Sequence, residues 1–131
     1  MIWRRLAYLS LCLLVVGCGS STNNVTGTWT FSSVSSIVGN SSASGSLTLM
    51  QTGNGVTGSL SETNNNSYNL TMGTVTSSQI NFPMSIICQG TVSGTLTLTG
   101  TISSSTALTG SYSENDACLN DSGTWTAGKV Q

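Results

Sequence analysis

From Val25 onward, apolar and small polar residues alternate with a period of two almost without interruption, and this rhythm limits the fold more than any other feature of the chain. Leu47/Leu49, Tyr68/Leu70/Met72, Ile80/Phe82/Met84/Ile86 and Leu96/Leu98 each keep one parity, with mostly Thr and Ser between them. Successive side chains of an extended strand point to opposite faces, so the pattern describes strands with one buried and one wet face. Thr and Ser suit the wet face, where branching and a small hydroxyl fit the pleat. No stretch has the i, i+3, i+4 spacing of an amphipathic helix. The chain is expected to be all-β.

Turn signals divide the rhythm. Gly39-Asn40, Gly53-Asn54-Gly55, Asn64-Asn65-Asn66, Ser77-Ser78, Gln89-Gly90, Ser103-Ser104-Ser105 and the stretch from Glu114 to Asp121 separate about eight strands, over 25–33, 45–52, 55–62, 67–76, 79–87, 91–103, 106–113 and 122–130. Pro83 has no backbone N–H to donate, which predicts a bend or bulge in the fifth strand. A short pattern, apolar–Ser/Thr–Gly–Ser/Thr–apolar, recurs around Gly27, Gly58, Gly94, Gly100 and Gly110, with an incomplete copy at Gly123. Parity turns each of these glycines inward. Small residues alternating with large ones let coiled strands close around a tapering interior. A two-sheet sandwich would use such glycines only as bulges and would need longer crossovers. Successive short hairpins therefore favour an eight-stranded antiparallel up-and-down (meander) barrel.

The N-terminus reads differently. Met1-Ile2-Trp3-Arg4-Arg5 precedes an apolar run from Leu6 to Val16, then Gly17-Cys18-Gly19-Ser20. A basic start, a short apolar stretch and small residues at its end mark a secretory signal, and the run is too short to span a bilayer. Val15-Val16-Gly17-Cys18 resembles the lipobox of bacterial lipoproteins. That resemblance implies acylation of Cys18, cleavage before it, and a stable lipid anchor made of several acyl chains. An ordinary signal peptide and an uncleaved anchor are the competing readings. The resulting division is a signal peptide over 1–17, a lipidated tether over 18–24 and a barrel domain over 25–131. Gly19 stands where the inner-membrane retention signal of such lipoproteins carries aspartate, so the resemblance favours the outer membrane.

Without its first 17 residues the chain keeps 114 residues, a single-domain length, with Lys129 as its one cation against Glu62, Glu114, Asp116 and Asp121. There is no basic patch, which argues against a nucleic-acid partner. Of the four cysteines, Cys12 lies in the signal and Cys18 is the lipid site; Cys88 and Cys118 remain. In an exported protein such a pair is expected as a disulfide rather than a metal site or nucleophile. Strand alternation places both at one end of the barrel, together with the loops over 34–44, 63–66, 88–90 and 114–121. The tether enters at the other end.

Val25-Thr26-Gly27-Thr28-Trp29-Thr30 resembles the opening Gly-x-Trp strand of lipocalins and avidins, and Val56-Thr57-Gly58-Ser59-Leu60-Ser61 resembles an early avidin strand. Both families are eight-stranded meander barrels. The resemblance implies that Trp29 packs at the closed end, and Trp125 in the last strand is the second candidate for barrel closure. The later lipocalin motifs and the tryptophans of the avidin biotin pocket are absent.

The chain contains no histidine, which removes Ser-His-Asp, Cys-His and histidine–metal chemistry. Glu114 and Asp116 are close in sequence, but at exposed loop positions they are expected to be solvated rather than to act as a glycosidase pair. Glu114, Asp116 and Asp121 could place oxygen ligands around Ca²⁺, yet the segment lacks the Asp/Asn ladder and terminal glutamate of an EF-hand. No enzymatic activity, no cofactor and no metal are expected. Two function classes remain. The favoured one is a membrane-anchored envelope lipoprotein acting as a non-catalytic interaction or structural module, resembling in size and export the barrel-shaped bacterial metalloprotease inhibitors. The alternative is a lipocalin-like carrier of a small apolar ligand, which requires an open interior.

Overall fold

The computed structural model describes residues 23–37, 39–88, 92–115 and 120–131. Eight strands follow one another: β1 (Gly27–Ser35), β2 (Ser42–Thr52), β3 (Gly55–Glu62), β4 (Ser67–Thr76), β5 (Gln79–Cys88), β6 (Val92–Ser104), β7 (Ala107–Asn115) and β8 (Asn120–Lys129). Each pairs antiparallel with the next, and β1 pairs with β8 from Trp29↔Lys129 to Ser35↔Gly123, closing the ring. The fold is a closed, eight-stranded, up-and-down barrel.

The alternation is what fills it. Trp29, Phe31, Leu47, Leu60, Tyr68, Leu70, Phe82, Met84, Leu98, Leu108 and Trp125 point inward and are almost wholly buried. Phe31 and Trp125 stack with ring centroids 6.0 Å apart, so large aromatic groups occupy the middle of the interior. The inward glycines bring neighbouring backbones together. Gly100 pairs with Gly110 across β6 and β7, and a Cβ on Gly110 would stand 2.6 Å from the Gly100 Cα. The Trp125 indole N–H donates to the Thr99 and Ser111 carbonyls, each at 3.1 Å, and so lies beside this glycine pair.

Two details depart from the sequence reading. Met72 was expected inside with Tyr68 and Leu70, but it is 79% exposed. An extra residue enters β4 between Leu70 and Gly73, shifting register with both β3 and β5, and parity inverts there. Gly73 takes the inner position, where a Cβ would meet the Phe82 ring and the Val56 carbonyl at 2.9 Å. The irregularity expected at Pro83 therefore falls on its partner strand. Pro83 keeps its place opposite Thr97 of β6, and the ladder breaks on the β4 side.

The loops at one end are also shorter than expected, because β1, β2, β7 and β8 run further: β7 continues to Asn115 and β8 begins at Asn120. At the opposite end the turns over 53–54, 77–78 and 105–106 are tight, and Val25, just before β1, plugs the opening with 1% of its surface exposed. The Trp29 indole N–H donates to the Val25 carbonyl at 2.9 Å, and the Val25 N–H donates to Gln51 Oε1 at 2.9 Å. The chain thus enters β1 at the plugged end, through Val25.

Candidate functional site

The inward parity persists to the far end of the barrel, but the residue types change. Along β1 the inner series runs Trp29, Phe31, Ser33, Ser35; along β7 it runs Leu108, Gly110, Tyr112, Glu114; β8 begins its inner series with Asp121. Together with Glu62 at the end of β3 and Tyr68 near the start of β4, these side chains line an open polar mouth. A pocket of about 160 Å³ remains there, bounded below by Phe31 and Leu96 and above by Ser41, Ser42, Asn64 and Asn66.

Hydrogen bonds order this mouth. The Tyr68 hydroxyl donates to Glu114 Oε1 at 2.8 Å, holding a carboxylate of which only 8% is exposed. Opposite Glu114 in the β7–β8 register stands Asp121, which accepts from the Tyr112 hydroxyl at 2.8 Å, from the Ser35 hydroxyl and from the Ser122 N–H at 2.8 Å. Burial alone would raise the Asp121 pKa, but the bonds from Ser35, Tyr112 and Ser122 outweigh it and hold the carboxyl below its usual range. Tyr112 moves the other way: desolvation, and then its bond to the Asp121 carboxylate and that charge, push its phenol well above the ordinary tyrosine value. Glu62 is half-buried, and desolvation raises its pKa against the lowering effect of Asn64 and Asn66. Every buried side-chain polar atom among the described residues has a partner. The mouth is a pre-ordered network, not a collection of loose acids.

Its chemistry is that of an acceptor. Three carboxylates converge while Lys129, the one cation after Arg5, lies at the plugged end with its ammonium 5.5 Å from the Trp29 ring centroid. A group that donates hydrogen bonds or carries positive charge fits these walls; a further anion does not.

The residues singled out from the sequence fall as follows. Trp29 is buried at the plugged end, and Trp125 is buried beside the Gly100/Gly110 pair. Glu114 was expected in an exposed loop with Asp116; it is instead the buried end of β7, because the parity of Leu108, Gly110 and Tyr112 carries it inward. Asp121 is likewise inside, on β8. No group of three metal-ligating residues occurs among the described residues, and Glu114 and Asp121 are engaged with tyrosine hydroxyls. Asp116, Cys118, Cys18 and the signal peptide lie outside the described residues; Cys88 ends β5, but its side chain does too. Ser33, Ser35, Glu62, Tyr68 and Tyr112 were not recognised as mouth residues. Extending each inward series past its last apolar member would have found them.

Comparison with known protein families gave no match, and neither did comparison with curated proteins. Among solved structures, the chain is similar to that of EF1p2_mFAP2b bound to DFHBI, at 12% identity and a TM-score of 0.59, covering 84% of this chain and all of the other. At this identity the likeness speaks to the fold, an antiparallel β-barrel.

Proposed function

We propose that this protein is a non-catalytic binding module of the bacterial envelope, anchored by lipid at Cys18 and receiving its partner at the polar mouth of the barrel. The observation that carries this reading is where the interior stops being apolar. Side chains pack the barrel from Val25 up to Phe31 and Leu96, and above that level an open, hydrogen-bonding pocket lined by tyrosines and carboxylates remains. A pocket of about 160 Å³ is small beside drug-sized sites of roughly 300–1,000 Å³. It suits one side chain or small polar group of a partner, with the surrounding loops making the wider contact. The absence of histidine and the engagement of Glu114 and Asp121 with tyrosines support a binding role over catalysis.

A photo-crosslinking amino acid at Asn64, on the rim, tests this in envelope-bound protein. A discrete adduct that is lost when Glu114 and Asp121 are both changed to their amides is expected. Adducts that form equally from Thr97 on the barrel wall would refute a mouth-specific partner. Intact mass of the N-terminal peptide tests the anchor: acyl mass on Cys18 is expected, with cleavage before it.

A second reading, a small-molecule binder, draws support from the solved barrel of similar fold that is bound to DFHBI. Here the ligand would sit in the mouth, with Phe31 and Leu96 beneath it. Native mass spectrometry of protein purified without denaturation distinguishes the two, since this reading requires a co-purifying ligand.

A further inference from the structure

Among the described residues five large apolar side chains stand in solvent, and three of them share a region with the start of β1. Met50 on β2 and Met72 on β4 are 65% and 79% exposed and flank Thr57 of β3, to which Met50 pairs directly. They border a groove of about 340 Å³ near the 53–54 turn. Val130, 54% exposed, follows β8, and its N–H donates to the Thr28 carbonyl at 2.8 Å. Around the ring these residues mark out an arc from β8 past β1 to β4, and the chain enters β1 inside that arc. Lys129 lies in the same arc, over Trp29.

Charge is divided along the barrel axis. Glu62, Glu114 and Asp121 are all at the mouth, while Lys129 is at the plugged end. The nine residues of β1 separate the two ends by roughly 20 Å once strand tilt is included, about twice the screening length at physiological salt. A surface against the plugged end therefore meets one cation and exposed methionines, and is screened from the acids.

We propose that this arc, Met50, Met72, Val130 and Lys129, is a seat for an anionic phospholipid surface, which holds the barrel upright with its acidic mouth facing away from the membrane. The proposal rests on the lipid anchor proposed above. From Cys18 to Val25 seven residues reach at most about 25 Å, so an anchor at Cys18 keeps the plugged end near the bilayer. Confinement of that kind lets a weak contact be populated that free protein would not make. Methionines bury readily among acyl chains at the interface, and the Lys129 ammonium, over Trp29 at the same end, is a partner for lipid phosphate.

The acylated protein, reconstituted in phosphatidylethanolamine/phosphatidylglycerol vesicles containing a diazirine phospholipid, is irradiated and its adducts are mapped by mass spectrometry. Val34 and Ile37, exposed apolar residues at the mouth end, serve as internal controls. At least five-fold more adducts at Met50, Met72 and Val130 than at the controls are expected, falling two- to five-fold on neutral phosphatidylcholine vesicles. The double variant Met50→Ser/Met72→Ser, altered only outside the barrel, should lose most labelling of Thr57 and Val130. Adducts confined to the N-terminal peptide, spread equally to Val34 and Ile37, or indifferent to lipid charge overturn the proposal. The mass of the Cys18 peptide is read separately. If no acyl group is found there, the anchor fails, and the seat is judged by the same labelling with the chain coupled through Cys18 to a maleimide phospholipid.

Discussion

Replacing Gly110 by alanine should damage this protein far more than adding one methyl group to a strand normally does. Glycine inside a strand ordinarily costs about 0.5–1 kcal/mol relative to alanine, so the propensity effect alone predicts a gain. Geometry reverses the sign. The new Cβ would stand 2.6 Å from the Gly100 Cα, 2.7 Å from the Thr99 carbonyl carbon, and closer still to the Thr99 oxygen. These are backbone atoms, which cannot step aside as a flexible side chain can. β6 and β7 must separate locally, and the Trp125 N–H, which bonds to Thr99 and Ser111 on both strands, loses its fit. Overpacking of about 1–3 kcal/mol and one or two weakened hydrogen bonds at about 1 kcal/mol each give a destabilisation of about 2–5 kcal/mol. The assay is urea unfolding followed by tryptophan fluorescence. Gly128→Ala is the control, because a Cβ there meets nothing within 4 Å and its backbone is not left-handed. The control should be neutral or slightly stabilising. If Gly110→Ala unfolds within about 0.5 kcal/mol of it, close backbone approach is not why glycine stands there.

The mouth supplies the remaining expectations. Tyr112→Phe removes one of three donors to Asp121, and should cost about 1 kcal/mol at neutral pH because the carboxylate is still partly wet. Since the Asp121 pKa is lowered by folding, its stabilising contribution is present above the unfolded value and lost as pH falls through the folded one. The deficit of the variant in urea midpoint should therefore shrink below pH of about 4. Glu62 has the opposite sign. Its pKa is raised by folding, so its ionisation works against the fold as pH rises past the ordinary glutamate value. Glu62→Gln should unfold at higher urea than the parent at pH 7 and match it at pH 3. In an alkaline absorbance titration of the folded protein, the Tyr112 phenol should ionise above the ordinary tyrosine range, and that delay should shorten in Asp121→Asn. Ordinary titration of Tyr112 would contradict the network.

The barrel was legible because its information is local and repeated. Period-two alternation fixes which face of each strand is inside, turn residues mark the hairpins, and six inward glycines on a common pattern imply closely approaching, coiled strands. β3 and β4 were bounded to the residue. The reading failed where a structural irregularity has a cause in another strand. Nothing near Met72 announces the extra residue in β4; the reason lies with Pro83 and Phe82 across the ladder, and Gly73 was the one local hint. The mouth was missed for a different reason. Apolar residues alone do not mark the mouth, because Ser33, Ser35, Tyr112, Glu114 and Asp121 keep the inward parity where the apolar series ends. A buried carboxylate on a strand and a solvated one in a loop look alike until the register is known. Here hydroxyl donors on other strands, Tyr68 to Glu114 and Tyr112 and Ser35 to Asp121, help these carboxylates stay inside.

The pairing of β1 with β8 has a consequence for how the chain matures. A ribosome delivers β1 before the other strands, yet one of its two neighbours consists of the ten residues Asn120–Lys129, the last of the eight strands to be made. Until these arrive, the growing sheet has two open borders, each a template for the wrong partner. Seven of the eight strands are therefore not a smaller barrel but an adhesive intermediate. A stop codon that removed only the final strand would yield aggregates and not a weakened barrel.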